Sequence, residues 1–442
     1  YMAYYTISHI LKTLDSTKLT DEVFDYVFLG RGEATKVAQT TGIDKQTLEG
    51  MRREFDYWYP MDYRMSANEL IPNHLTFHIF HHAVIFPPER CPGGIVSFGM
   101  AVLEGAKMSS SKGNIIAVNE AVRKYGADAV RLYLMSTAEP WQDLDWRAHE
   151  ADAMVKNLER FYALAEGILA LPEVERPSLT QPDRWMLSRL QEHVRAATEA
   201  LEAFETRKAV QHVFFSLMQD LRWYMKRAEG DGSRAYVLRQ VLDVWVRLLA
   251  PFAPHACEEL WHRMGKAGFV SAADWPMVQE KLVDKAAEFA EDYLGRVVED
   301  IGEVLGVVRI ERPSRVCLYV AQDWKWQAYR MAIEWVRGGK VEIGELIRAA
   351  TKELGLRLYA ADLAKYVQRV VQELRAMSQE QLATLAATEI DELQVLADAA
   401  EFIRKQFGVG MVQVFKADDQ ARYDPQDRAR LAVPLRPAIY VE

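Results

Sequence analysis

The apolar positions between residues 145 and 250 recur at the spacing of an α-helix. One face of a first helix is marked by Leu158, Phe161, Tyr162, Ala165 and Ile168, since residues three and four apart lie on the same side of a helix. Three further amphipathic helices are predicted over residues 184–204, 207–227 and 233–249, and Pro251 and Pro254 end the last of them. Consecutive helices of this length with short links predict a helical bundle.

The pattern changes from about residue 285, where helical and strand patterns alternate. Apolar residues at helical spacing predict a helix whose buried face carries Ala290, Tyr293, Val297, Ile301, Val304 and Val308. Every second residue of 316–320 is Val or Leu, which predicts a strand with one buried face. A further helix over 391–407, ending at Gly408, and a strand over 411–415 complete a predicted small α/β domain.

The first hundred residues mix both patterns. Residues 57–64 predict a strand that ends in a polar loop, and residues 68–86 predict a helix rich in Phe, His and Ile. The stretch 87–94, rich in Pro and Gly, predicts a loop, and a short strand over 95–98 follows it before Gly99. The fold class predicted for the whole chain is therefore mixed α and β.

Composition excludes several classes of protein. The 442 residues are 50% hydrophobic and 26% charged, as in soluble globular proteins of about two to four domains. No apolar run has the length of a membrane span and no signal peptide is expected. Because Cys91, Cys257 and Cys317 form no zinc or disulfide pattern, we expect a reducing, cytoplasmic location. The net charge of −9 argues against general electrostatic binding of nucleic acid but leaves room for a local basic surface.

The residues with the clearest chemistry are Lys107-Met-Ser-Ser-Ser-Lys-Gly-Asn114. Small hydroxyl residues and glycine let a backbone approach an anion, and lysines can meet the charge of a phosphate; a solvated surface turn is the alternative interpretation. The order of the residues resembles the KMSKS signature of class I aminoacyl-tRNA synthetases. Ser110 stands where the signature has its second lysine, and Lys112 is the candidate to replace it. The resemblance implies that Lys107 and Lys112 are catalytic, and that ATP is bound by Lys107, Met108, Ser109, Ser110 and Ser111.

A second segment, from Trp58 to His74, resembles the part of these synthetases that contacts the adenosine of ATP or of an aminoacyl-adenylate. The resemblance implies that Ser66, Glu69 and His74 bind ATP. Two residues depart from the family pattern, because Ala67 replaces a glycine and Glu69 an aspartate. The alternative for the aromatic start of this segment, Trp58 and Tyr59, is packing in a core.

Three histidines follow one another at helical spacing. His74, His78 and His81 stand at i, i+4 and i+7, so a helix would place them on one face, as in some metal sites. No Asp, Glu or Cys completes such a site at matching spacing. Packing of the helix near the active site is therefore the favoured interpretation over a metal centre.

Several segments narrow the resemblance to leucyl-tRNA synthetases of the archaeal and eukaryotic type. Residues 248–261, with their double-proline corner, resemble the anticodon-binding bundle of the Leu, Ile, Val, Met and Cys enzymes, and residues 126–136 with Asp145-Trp-Arg147 resemble the stem-contact region after KMSKS. Residues 323–326 and 434–442 resemble the C-terminal domain that contacts the long variable arm of leucine tRNA. This resemblance covers the whole chain.

The resemblance also implies residues that contact tRNA. They are three bases of the bundle and three residues of the final segment: Arg222, Lys226, Arg227, Arg436, Ile439 and Tyr440. A solvated face is the alternative for the three bases. A final β-strand that merely completes the small domain is the alternative for the final segment.

The implied architecture has four parts. They are the C-terminal portion of a Rossmann-type α/β catalytic domain over residues 1–86, a stem-contact region with the KMSKS-like loop over 87–150, an all-α anticodon-binding-type bundle over 151–284, and a small α/β tRNA-recognition domain over 285–442. The implied reaction is ATP-dependent formation of leucyl-adenylate and transfer of the leucyl group to leucine tRNA, with Mg²⁺ accompanying ATP.

No HIGH-like tetrapeptide and no threonine-rich editing segment occur in the sequence. We therefore expect an excised piece, an incomplete record of a longer chain, or a subunit of a split enzyme, which is inactive alone. It would act on leucine and ATP together with the missing N-terminal half and bind leucine tRNA, with no membrane or DNA partner. The alternatives are a catalytically inert tRNA-binding module and a regulatory paralogue.

Overall fold

The computed structural model describes residues 1–108, 113–175, 177–230, 232–310, 312–339 and 342–442. Their helices and strands form two compact units, Tyr1–Lys156 with Ala203–Lys208, and Asn157–Glu202 with Ala209–Glu442. Helices predominate and both units contain strands, so the predicted mixed fold class is confirmed. Within these residues, no helix is long and apolar enough to cross a membrane.

Four helices open the first unit: α1 (Met2–Leu11), α2 (Asp21–Phe24), α3 (Ala34–Thr41) and α4 (Lys45–Trp58). They pack around a core that includes Ile7, Val23, Val27, Leu48, Met51 and Phe55. Asp44 caps α4 by accepting a hydrogen bond from the Thr47 N–H at 2.9 Å, which gives a partner to a helix donor that would otherwise lack one.

The prediction of a strand from residue 57 that ends in a polar loop by residue 64 is wrong. α4 continues to Trp58, because Leu48, Met51 and Phe55 give it a buried face at helical spacing. The first strand, β1 (Tyr63–Ala67), begins five residues later.

β1 pairs in parallel with β2 (Gly94–Phe98), the strand predicted over 95–98. The chain between them is helical, as predicted over 68–86: it forms a 3-10 turn (Asn68–Leu70), a π-helical turn (Ile71–Leu75) and α5 (Thr76–Ile85). α5 buries His78 and His82. Its large apolar side chains Phe77, Phe80 and Val84 are exposed, so this helix presents an apolar face to solvent.

A second small sheet carries the lysine loop. Its strands are β3 (Ala101–Leu103), β4 (Ala106–Lys107) and β5 (Leu144–Trp146), in the order β4-β3-β5. β3 is antiparallel to β4 and parallel to β5. Two helices, α6 (Val118–Tyr125) and α7 (Ala127–Thr137), lie between β4 and β5 in the chain.

The predicted helices of the bundle are confirmed. In chain order they are α8 (Ala148–Leu169), α9 (Gln181–Glu202), α10 (Thr206–Val210), α11 (Leu217–Arg227) and α12 (Arg234–Leu249). They are followed by α13 (Pro254–Arg263) and by α14 (Lys285–Val308), the helix predicted at the start of the small domain. α9 packs against α11, α12 and α14. α12 ends at the double-proline corner, and Pro254 begins α13, as a proline in the first turn of a helix allows.

The last part of the chain contains a three-stranded sheet. Its strands are β6 (Arg315–Val320), β7 (Met411–Lys416) and β8 (Ala438–Val441), in the order β7-β6-β8, with β6 parallel to β7 and antiparallel to β8. The helices between β6 and β7 are α15 (Asp323–Arg337), α16 (Ile343–Lys352), α17 (Leu354–Arg357), α18 (Ala360–Arg375), α19 (Gln379–Ala387), α20 (Glu392–Asp398) and α21 (Ala400–Phe407). The helix predicted over 391–407 is thus divided at Ala399, and it ends at Gly408 as predicted.

The prediction of one buried face for β6 is wrong, because the strand is buried on both faces. Val316 and Leu318 pack with residues of α14 and α21, as expected for the apolar face. Cys317 and Tyr319, on the other face, belong to a second apolar cluster that includes Ala429. This second cluster comes from a segment about a hundred residues further along the chain, so the alternation within β6 could not indicate it.

Candidate functional site

The base of the lysine loop is a β-hairpin. Glu104 and Gly105 form the turn between β3 and β4 and have positive φ angles of 49° and 77°, as in the turns that two-residue hairpins favour. Lys107 ends β4 with an exposed side chain. Its carbonyl accepts a hydrogen bond from Asn114 Nδ2 at 3.3 Å, so Asn114 ties together the two ends of the loop.

The loop itself is described in part. Met108 follows β4 and is half-buried. Ser109, Ser110, Ser111 and Lys112 lie outside the described residues, so the ATP contacts and the catalytic role assigned to them stay predictions.

The hairpin turn is held by Asp145 of β5 and by the residues just after this strand. Asp145 Oδ1 accepts a hydrogen bond from the Gly105 N–H at 2.8 Å, and Arg147 Nε donates to Asp145 Oδ2 at 2.9 Å. Glu104 Oε1 in turn accepts from the Ala148 N–H at 3.0 Å, at the first residue of α8. Two carboxylates therefore fasten the turn: Asp145 ties it to β5 and Glu104 ties it to the start of α8.

The predicted adenosine-binding residues lie at and after the carboxyl end of β1. Ser66 is buried within the strand, whereas Glu69 and His74 are exposed on the helical turns that follow it. Arg64 Nη2 lies 3.0 Å from His74 Nε2. Since a guanidinium can only donate, Nε2 of His74 accepts this bond and the ring proton of a neutral His74 resides on Nδ1.

The two predicted ATP-binding segments leave neighbouring strands at the same end. Ala67 at the end of β1 pairs with Phe98 at the end of β2, and the Asn68 and Ser97 side chains are hydrogen-bonded beside them. From this edge one chain segment turns into the helical crossover with His74, and the other continues to β3 and the lysine hairpin. Nucleotides bind at this edge in many parallel sheets.

Two histidines of α5 lie in contact, with their rings tilted against each other. The rings of His78 and His82 lie 4.2 Å apart between centroids. His82 Nδ1 donates to the His78 carbonyl at 2.7 Å, so its Nε2 accepts the hydroxyl of Tyr59 at 2.8 Å. Tyr59 is 3% exposed and belongs to the core, as the alternative of core packing predicts. Trp58, for which the same alternative was given, is exposed.

His78 faces a cavity of about 960 Å³ that is lined mostly by apolar side chains of α1, α2 and α5. Burial lowers the pKa of His78 to about 4, with a further contribution from the neighbouring His82. Its Nε2 has no hydrogen-bond partner among the described residues. Within the described ranges there is also no group of three His, Cys, Asp or Glu side chains placed to hold a metal ion.

The three predicted tRNA-binding bases of α11 differ in their surroundings. Arg222 and Lys226 are exposed and line a groove of about 720 Å³ together with Arg296 of α14. The Arg227 side chain is 5% exposed, and its Nε lies 2.6 Å from Oε1 of Glu291, whose side chain is 1% exposed. An arginine committed to a buried ion pair is not free to contact a phosphate, so the assignment of Arg227 to tRNA needs correction: its partner lies on α14, within the protein.

Of the three tRNA-binding residues predicted in the final segment, two lie within a strand of the sheet and one is exposed. Ile439 and Tyr440 lie in β8; Ile439 packs against the core under the sheet, and Tyr440 is 8% exposed. A ring buried to this degree cannot stack on an RNA base, so this part of the assignment is corrected in favour of the alternative, a strand that completes the sheet. Arg436, just before the strand, is exposed and remains a candidate.

Sequence reasoning missed the residues that support the site. Asp145 was noted within a motif, but its contact with Gly105 spans 40 residues and no local pattern signals it. The same holds for the bond between Arg64 and His74, which depends on the helical turn after β1.

Comparison with known proteins shows what this arrangement is similar to. The family described as tRNA synthetases class I (M) matches residues 37–159, and the anticodon-binding domain of tRNA ligase matches residues 183–320. The leucine–tRNA ligase of Pyrococcus furiosus is 43% identical to the chain over 453 aligned residues, which cover 100% of this chain and 45% of that protein. The chain is thus similar over its whole length to the C-terminal part of leucine–tRNA ligases. The leucine–tRNA ligase of Methanothermobacter thermautotrophicus is 41% identical over 100% of the chain and 45% of its own length.

The chain therefore spans a little under half the length of the leucine–tRNA ligases that it matches, and corresponds to their C-terminal part. Among solved structures, the ternary complex of Agrobacterium radiobacter K84 agnB2 LeuRS with tRNA and LeuAMS is 26% identical. That match covers 53% of this chain and 30% of the other, with a TM-score of 0.45, which is too low to support any argument about this chain.

Proposed function

We propose that the chain supplies the lysine loop and the tRNA-binding parts of a leucine–tRNA ligase. The observation that carries this proposal is the shared edge of β1 and β2, from which both candidate ATP-binding segments depart. Class I family membership implies ATP as a substrate. The complete reaction joins leucine to ATP as leucyl-adenylate, releases pyrophosphate, and passes the leucyl group to a terminal ribose hydroxyl of leucine tRNA.

In this proposal the chain positions ATP and offsets charge. Glu69 and His74 approach the adenosine from the crossover after β1, with His74 oriented by Arg64, and Ser66 shapes the strand beneath them. Lys107 meets the negative charge that grows on pyrophosphate as it leaves, which is a contribution that counts most in the transition state. Mg²⁺ would accompany the phosphates of ATP; because the described residues offer no three-ligand site, no step is assigned to it.

Two features support a requirement for further polypeptide. β1 and β2 form a two-stranded parallel sheet, whereas parallel sheets are usually larger and covered on both faces. α5 exposes Phe77, Phe80 and Val84 next to it, and contiguous exposed apolar surface commonly marks an interface. We therefore propose that the chain acts together with the part that its relatives carry outside the matched region.

For the second half of the reaction we propose that the bundle and the small domain bind leucine tRNA. In this proposal the four domains are 1–86, 87–150, 151–284 and 285–442, with the pair of strands β1 and β2 joining the first two. Arg222 and Lys226 would contact phosphates, and Arg436 would lie at the long variable arm. The alternative is a tRNA-binding module without catalysis, which would use the same bases of α11 but would not require the lysine loop.

The catalytic proposal is tested by leucine-dependent exchange of pyrophosphate into ATP. The chain is joined to the complementary part of the Pyrococcus furiosus relative, and Lys107→Ala is compared with Lys281→Ala, which changes an exposed lysine of the bundle segment. We expect Lys107→Ala to lower the catalytic rate by roughly 10²–10³, the usual effect of losing one charge contact in a transition state, and Lys281→Ala to have no effect. Binding of leucine tRNA without any exchange would instead establish the non-catalytic alternative.

The tRNA proposal is tested on the chain by itself, at several salt concentrations. Arg222→Ala and Lys226→Ala should each weaken binding of all tRNAs and lower the salt dependence by about 0.7–0.9 in the log–log slope. Lys352→Ala, an exposed lysine of α16, is the control. Arg436→Gln should reduce the preference for leucine tRNA over a tRNA with a short variable arm. Equal binding of both tRNAs by the unmodified chain would contradict the proposed recognition.

A further inference from the structure

The turn between β3 and β4 adopts a conformation that a glutamate rarely takes by itself. Glu104 has a φ of 49°, in the left-handed region where residues other than glycine are uncommon. Such a residue persists where its surroundings fix it. Here its own N–H donates to the Trp146 carbonyl at 3.0 Å, and its carboxylate accepts from the Ala148 N–H.

The second residue of the turn is fixed by Asp145. The carboxylate of Asp145 accepts the Gly105 N–H on one oxygen and the Arg147 guanidinium on the other. The hydrogen bond from Gly105, followed by that from Arg147, lowers the pKa of Asp145, so the carboxylate is charged near neutral pH. A charged acceptor makes a stronger hydrogen bond to a backbone N–H than a neutral one does.

The backbone of Asp145 is itself contacted by the side chain of Tyr133. The Tyr133 hydroxyl shares its one proton between the Asp145 carbonyl and the Glu150 carboxylate, each at 3.1 Å, and accepts from the Arg147 N–H at 3.0 Å. Its ring packs edge-to-face on Trp146, with centroids 5.0 Å apart. The backbone of β5 around Asp145 is therefore held on both sides, and the carboxylate has a fixed position from which to hold the turn.

The turn determines where the lysine loop begins. β4 contains just Ala106 and Lys107, which pair with Leu103 and Val102 of β3. A strand of two residues has little pairing of its own, so the direction in which it leaves β3 depends on the two turn residues before it. Movement at Gly105 would shift Lys107 directly.

We propose that Asp145 is a positioning residue for the lysine loop, which fixes the turn at Gly105 and so directs Lys107 toward the phosphates of ATP. This inference rests on the proposed role of Lys107 and adds a residue that acts through the backbone. Glu104, in the same turn, accepts a hydrogen bond from the first residue of α8. Displacement of the turn would therefore also disturb the N-terminus of α8.

The test compares Asp145→Ala, which removes the acceptor, with Asp145→Asn, which keeps an amide oxygen for the Gly105 N–H. Asp143→Ala is the matched control, because Asp143 accepts the Met100 N–H at 2.7 Å at the other end of β3. Each variant is made in the chain joined to the complementary part of the Pyrococcus furiosus relative, and two quantities are measured. They are hydrogen exchange of the Gly105 amide, and acylation of the Lys107 amine with and without Mg-ATP, since bound phosphate would shield the amine from the reagent.

For Asp145→Ala we expect exchange of Gly105 to rise at least about tenfold and protection of Lys107 by ATP to be lost. Asp145→Asn should restore most of both, and Asp143→Ala should change neither. Unchanged Gly105 exchange in Asp145→Ala would overturn the inference, and so would faster exchange with full protection of Lys107. If ATP fails to protect Lys107 in the unmodified chain, the phosphate-binding proposal fails and the positioning role falls with it, whatever the exchange at Gly105.

Discussion

Replacement of Arg227 by methionine should destabilise the chain without weakening its binding of tRNA. The guanidinium lies 2.6 Å from Glu291, and both side chains are almost fully buried. It also lies over the ring of Phe402, 5.0 Å from the centroid. Methionine keeps the apolar contacts but leaves the Glu291 carboxylate with the indole of Trp223, at 2.8 Å, as its remaining hydrogen-bond donor among the described residues.

The expected loss of stability follows from this burial. Removing one partner of a buried ion pair costs about 3–5 kcal/mol, because the other charge stays buried without compensation. Because the hydrogen bond from Trp223 to Glu291 remains, we expect Arg227→Met to lower the free energy of unfolding by about 3 kcal/mol, at the low end of this range. The double variant Arg227→Met with Glu291→Gln removes both charges and keeps an acceptor for the indole, so it should lie within about 1 kcal/mol of the unmodified chain.

Unfolding in urea, followed by tryptophan fluorescence, measures the stability of the single and double variants. Binding of leucine tRNA is measured in parallel, well below the unfolding midpoint. Arg222→Met serves as the matched comparison on the same helix: it should leave the midpoint unchanged and weaken tRNA binding. If Arg227→Met kept full stability and lost tRNA affinity, the buried ion pair would not exist as described and the base would belong to the RNA-binding surface.

Three further predictions concern stability. Because burial lowers the pKa of His78 from 6.5 to about 4, the unfolded chain binds the proton more readily, and stability should fall as pH drops from 6.5 to 4, by about 1–2 kcal/mol because solvent near the ring weakens the effect; His78→Phe should remove this dependence in urea titrations. Burial raises the pKa of Glu392 from 4.5 to about 7, so the folded chain holds the proton more tightly and stability should fall as pH rises through that window, which Glu392→Gln should flatten. Gly99→Ala should cost about 1–3 kcal/mol, since its Cβ would stand 2.1 Å from the Gln142 carbonyl oxygen, whereas Gly167→Ala, in open space on α8, should raise the melting temperature slightly.

Much of the fold could be predicted because its signals are local. The helices of the bundle bury faces that repeat every three or four residues, such as Phe161 and Ala165. The errors arose where distant segments decide burial. Tyr57 and Trp58 have strand-favouring side chains, but the buried face of α4 extends the helix to them.

The candidate site, like the fold, could be predicted where its signals are local. The position of Lys107 in a loop after a strand follows from the motif itself. The three bases of α11 are alike in sequence, and nothing near them distinguishes Arg227 from Arg222. The distinction is made by Glu291, 64 residues away on α14, which is the kind of information that a local pattern does not contain.

The position of β6 in the middle of its sheet has a consequence for synthesis on the ribosome. Both of its neighbours follow it in the chain, β7 after about ninety residues and β8 later still. Until they emerge, Val316, Leu318 and Tyr319 form an apolar strand with two unpaired edges, the kind of segment that pairs with other chains. At about 5–20 residues per second this exposure lasts several seconds or more. The helices α15 to α19, which share a core of their own, can fold in that interval and shorten the distance over which β7 must return.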